Sequence, residues 1–120
     1  MEDKKMLELI KINEETKIDL QHNTTKEWTE YRIGRYTVDH IVYTNENGYS
    51  TTRISVTKDW DSEYLPTIYY ENMFDSDEDK YFTIQTTAYG AKKPDEIKYI
   101  MAGYQEAIEV VKVLTENFIK

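Results

Sequence analysis

The sequence predicts an α+β fold, a two-layer arrangement of about four antiparallel strands in two hairpins, covered by a long C-terminal helix. Three observations predict it. Two runs of β-branched and aromatic residues flank Asn47-Gly48, the strongest short hairpin signal a sequence can carry. A second pair of alternating runs flanks the acidic stretch Asp75-Ser76-Asp77-Glu78-Asp79, and from Ile97 onward apolar residues recur at steps of three and four.

Taken in order, Met6, Leu9 and Ile10 have helical spacing in a segment without Gly or Pro, which predicts a short N-terminal helix over 3–15. Lys17 to Gln21 fits a short edge strand, and Asn23-Thr24-Thr25 a turn. The first hairpin then joins Trp28 to Thr44 with Tyr49 to Thr57. A two-residue turn at Asn47-Gly48 sets Ile41 opposite Ile54 and Val42 opposite Arg53, which gathers Ile33, Ile41, Tyr43, Ile54 and Val56 on a core face. Tyr36, Val38, His40 and Val42 then lie on the opposite, mixed face.

The second hairpin joins Thr67–Phe74 to Lys80–Tyr89, with Ile68, Tyr70, Phe74, Phe82, Ile84 and Ala88 as its apolar face. Pro94 suits the first turn of a helix, and Asp95 and Glu96 place negative charge at its positive end. Ile97, Ile100, Met101, Tyr104, Ala107, Ile108, Val111, Leu114 and Phe118 continue the stripe to Ile119. Such a helix is close to 40 Å long at about 1.5 Å per residue, so it must cross the sheet diagonally, overhang it or bend near Gly103.

At 120 residues the chain is read as one domain, 1–120. It has no cysteine, which excludes disulfides and thiolate metal sites and favours a reducing, cytoplasmic setting. No apolar run has the length of a signal peptide or a membrane span, so the Asn23-Thr24-Thr25 sequon carries little meaning.

Chemistry-bearing motifs are few. His22 and His40 are the only histidines, and Asp39 and His40 are strand neighbours that point to opposite faces, so they cannot form an oriented dyad. With four glycines there is no phosphate loop, dinucleotide fingerprint or nucleophile elbow. Asp75, Asp77 and Asp79 have the spacing that opens an EF-hand loop, but the sixth position is Lys80 and the twelfth is Thr86. The sequence therefore predicts no enzyme, no metal and no cofactor.

Charge is the informative feature. Net charge is −8, and eight carboxylates with no Lys or Arg lie between Asp59 and Asp79; the rest of the chain is balanced. Such a segment repels phosphate and attracts basic proteins, which argues against direct nucleic-acid binding. Within and beside it, Asp59, Trp60, Asp61, Glu63, Tyr64, Tyr69, Glu71, Asp75, Asp77, Glu78, Asp79 and Tyr81 mix carboxylates with rings that favour interfaces. They are the candidate protein-binding residues, for a basic partner such as a nucleic-acid-acting enzyme.

In size, acidity and absence of motifs the chain is similar to small phage or mobile-element inhibitors that mimic nucleic acid, anti-CRISPR and anti-restriction proteins among them, and to nuclease immunity proteins. That resemblance is one of profile. It implies a non-enzymatic inhibitor with no membrane association. Two other readings compete: a small ligand-binding domain or enzyme with a pocket between sheet and helix, and a subunit that self-associates into a homo-oligomer through its tyrosine face.

Overall fold

A computed structural model of the chain describes residues 7–78, 80–86 and 93–119. The fold is α+β. Among the described residues six antiparallel strands form one meander in the order β1-β2-β3-β4-β5-β6. They are β1 (Ile10–Asp19), β2 (Thr24–Ile33), β3 (Tyr36–Thr44), β4 (Ser50–Lys58), β5 (Thr67–Asn72) and β6 (Thr83–Gln85), and a 25-residue helix α1 (Pro94–Phe118) packs on one face.

Two expectations are corrected. The predicted helix over 3–15 is not found where it is described: residues 7–9 are irregular, Ile10–Glu15 belongs to β1, and residues 1–6 lie outside the described set. Three apolar residues at helical spacing are a weak signal, and β-branched Ile10, Thr16 and Ile18 gain a ladder against β2. The sheet has six strands rather than four. The run from Trp28 to Thr44 is itself a hairpin, turning at Gly34-Arg35 with Ile33 opposite Tyr36. Gly34 has φ +55°, at the first central position, where two-residue hairpins favour glycine. At the β1–β2 turn Asn23 takes φ 52°, and the Asp19 carboxylate accepts the Gln21 and His22 N–H groups.

The hairpin at Asn47-Gly48 forms, but in a different register. Asn45 N–H donates to Tyr49 O, Gly48 N–H donates to Asn45 O, and Gly48 sits at φ +84°, so the connection is a three-residue loop with its glycine in the left-handed region. Ile41 therefore pairs with Arg53, and Val42 with Thr52. A one-residue slip inverts the faces of β3. Tyr36, Val38, Ile54 and Val56 are buried, whereas Ile41 and Tyr43 lie on the open face beside Arg53.

The second hairpin keeps its predicted parity, with Ile68 and Tyr70 buried and Phe82 and Ile84 packed beside them. Phe74 departs from it. It has φ 55° in the one-turn 3-10 segment Met73–Asp75 and is exposed, its ring edge-on to Tyr49. Ala88 falls outside the described residues.

Helix α1 begins as predicted, with Pro94 in its first turn and the Glu96 carboxylate accepting the Lys93 N–H at 3.1 Å. Its buried line is Gly103, Ala107, Val110 and Leu114. Ile97, Met101 and Tyr104 are exposed, whereas at Gly103 the helix meets the backbone of the β4–β5 loop. At the other end, Phe118 stacks on His40 at 4.7 Å and meets Tyr31 edge-on at 5.4 Å.

The core joins Ile33, Tyr36, Val38, Ile54, Val56, Leu65, Ile68 and Tyr70 to Ala107, Val110 and Leu114. Tyr36 is its largest fully buried side chain and donates its hydroxyl to Pro66 O at 2.8 Å. Burial, and the charge of Glu106, raise the pKa of that hydroxyl. Tyr36→Phe leaves the Pro66 carbonyl without this donor and is expected to lower stability by about 1–2 kcal/mol in urea titration, with the far-ultraviolet spectrum unchanged.

Burial against Phe118 pushes His40 below its ordinary pKa, against an opposing pull from Glu27. Because the folded value lies below the unfolded one of about 6.5, the unfolded chain takes up the proton first. His40 therefore contributes stability above about pH 6.5 that is lost as pH falls through its folded pKa. Urea midpoints measured across this range should fall with acidification, and the fall should be shallower in His40→Gln.

Candidate functional site

The β4–β5 loop, residues 59–66, is anchored at both ends. Asp59 N–H donates to Arg35 O, Ser62 N–H to Asp59 O, and Leu65 N–H to Ser62 O, each at 3.0 Å. Lys58 donates its ammonium to Leu65 O at 2.8 Å, and Leu65 and Pro66 are buried. Ser62 faces inward at 5% exposure, while Trp60 is 96% exposed. An anchored turn thus presents a bare indole to solvent.

Helix α1 completes this surface. Tyr64 and Tyr99 stack with ring centroids 5.7 Å apart, below Gly103, whose missing side chain lets α1 approach the Tyr64 backbone. Desolvation and the charges of Glu63 and Glu96 raise the pKa of the Tyr64 hydroxyl, so both carboxylates act on this ring. Asp61 and Glu63 are exposed, and neither makes an ion pair among the described residues. Trp60, Asp61, Glu63, Tyr64, Glu96 and Tyr99 form one acidic-aromatic end of the molecule. The exposed Ile97, Met101 and Tyr104 lie on the same half of α1.

The other predicted site residues do not join it. Asp59 is paired with Arg32 at 2.8 Å. Glu71 accepts the Tyr69 hydroxyl at 2.9 Å and pairs with Arg53 at 3.0 Å on the open sheet face. These two bonds hold its carboxyl below the ordinary range. Asp75, Asp77 and Glu78 lie beyond the far end of β5, with Asp77 paired to Lys80 at 3.4 Å. Asp79 lies outside the described residues, and Tyr81 is exposed next to β6. At ~3.3 Å per residue, the six residues of β5 separate the two acidic groups by about 20 Å.

The acidic segment is therefore two poles joined by a neutralised strand. Sequence reasoning missed Glu96 and Tyr99. Tyr99 stands off the three-and-four stripe of α1, an odd aromatic position that could have marked it, but its pairing with Tyr64 depends on where the helix crosses the loop.

A second feature is a cleft of about 310 Å³ near the C-terminal end of α1, lined by His40, Thr52, Tyr70, Asn72, Asp75 and Lys80 with Phe118 and Ile119. Asn72 is 3% exposed; its amide nitrogen donates to Ser76 O, and its buried Oδ1 has no hydrogen-bond partner among the described residues. Among the described residues no group of three or more His, Asp or Glu converges as a metal site, and no helix is long and apolar enough to cross a membrane. No family model, curated protein or solved structure matches this chain.

Proposed function

We propose that this chain is a non-enzymatic, acidic protein-binding domain whose Trp60 end docks a basic partner. The observation that carries the reading is Trp60 itself, 96% exposed on an anchored loop and flanked by Asp61 and Glu63. Exposing an indole to water is unfavourable, whereas a tryptophan on a preorganised turn loses little entropy when a partner covers it. Carboxylates without a cationic partner around such an anchor speed encounter with a basic surface and discriminate against acidic ones.

In its most concrete form the partner is a nucleic-acid-acting protein, with carboxylates taking the places of phosphates and the rings of Trp60, Tyr64 and Tyr99 packing where bases would. The test is capture from cytosolic lysate at low and moderate salt, with the retained proteins identified by mass spectrometry. A basic nucleic-acid-binding protein retained at low salt and lost at moderate salt is the expected result. Retention of nothing at either salt overturns the proposal.

The cleft beneath the C-terminal end of α1 favours a second reading, a small polar ligand that supplies a donor near Asn72. Under that reading a thermal-shift screen with small polar metabolites raises the melting temperature. Under the docking reading the screen leaves it unchanged.

A further inference from the structure

Strand β1 is ten residues long, is exposed on both faces throughout, and has no strand on its outer side among the described residues. Ile10, Ile12, Ile18 and Leu20 are exposed by 54%, 54%, 65% and 89%. A long edge without proline offers an unpaired row of N–H and C=O groups to any strand that matches it. Its charged residues and the bulge between Lys11 and Asn13 restrict which strand that can be.

A second copy of β1 matches in one antiparallel register, with Thr16 opposite Thr16 on a two-fold axis. Glu15 then faces the other copy's Lys17, and Lys17 faces its Glu15, so the two charge pairs are reciprocal. Within one chain these two side chains are loosely paired at 3.8 Å and remain 53% and 69% exposed, so both are accessible to a partner. Among the even-numbered positions Ile12 falls opposite Leu20, the turn residue that follows β1, and Ile18 lies diagonal to Ile12. Lys11 pairs with Tyr31 and Asn13 with Glu30, so Ile12 is the extra residue of the bulge, without a partner in β2.

We infer that two copies of this chain associate edge to edge through β1, joining their six-stranded sheets into one continuous antiparallel sheet. None of the residues paired in this register belongs to the group around Trp60.

Sedimentation velocity over a concentration series tests this. The wild-type chain is expected to pass from the mass of one chain to that of two. Lys17→Glu and Glu15→Lys each set like charges opposite one another across the axis, and each should hold the protein at one-chain mass. The double variant Glu15→Lys/Lys17→Glu restores the reciprocal pairs and should restore the two-chain mass. Wild-type protein that keeps one-chain mass up to millimolar concentration overturns the inference. Association that survives both single exchanges also overturns it, because the copies then meet elsewhere.

Discussion

Gly103→Ala is expected to destabilise the fold by about 2–4 kcal/mol in urea denaturation, although alanine is the better helix former by about 0.8–1.0 kcal/mol. A Cβ at this position is driven into the Tyr64 carbonyl oxygen and stands 3.0 Å from the carbonyl carbon and 3.5 Å from Leu65 Cα. The obstacle is backbone, so no side chain can swing aside. Either α1 lifts from Leu65, or the loop shifts and disturbs the Pro66 carbonyl that accepts the Tyr36 hydroxyl. Ala102→Gly, on the exposed neighbouring residue, is the control and should cost about 1 kcal/mol through helix propensity alone. If Gly103→Ala raises stability instead, α1 does not contact the loop closely at this point.

Trp60→Ala is expected to do the reverse, leaving stability within about 0.5 kcal/mol of wild type while weakening the basic partner by at least about 2 kcal/mol, roughly 30-fold. A side chain that is 96% exposed contributes almost nothing to the core, so loss of binding without loss of stability isolates its role as an anchor. Asp61→Asn with Glu63→Gln should act differently. Removing rim charge slows association and flattens the salt dependence, with a smaller change in dissociation. Surface-based kinetics on the captured partner, run at two salt concentrations, separate these effects. Equal affinity for wild type and Trp60→Ala would exclude Trp60 as the anchor.

Much of the fold could be read from the chain, and the failures have physical causes. The long helix and the parity of the second hairpin were legible because each rests on a local period, from Ile97 to Leu114 and from Ile68 to Ile84. The faces of β3 were not. They depend on whether Asn47-Gly48 closes a two- or a three-residue loop, and that single residue decides whether Ile41 or Val38 enters the core. Strand β1 was obscured because charged residues are interspersed among its β-branched ones, and its ladder with β2 decides its conformation. In the candidate site, composition pointed to Trp60, Asp61, Glu63 and Tyr64, which the fold brings together. It also grouped them with Asp75 and Asp77, which β5 carries away, and it could not supply Tyr99 from a helix thirty-five residues later.

The most direct test of the docking account is a side-by-side lysate capture with wild type, Trp60→Ala/Asp61→Asn/Glu63→Gln, and Asp75→Asn/Asp77→Asn/Glu78→Gln, at low salt. The account predicts that a basic partner is retained by wild type and by the variant of the far acidic pole, and is lost from the Trp60 variant. Retention by the Trp60 variant with loss from the far-pole variant would contradict it, and would place docking at the other end of β5.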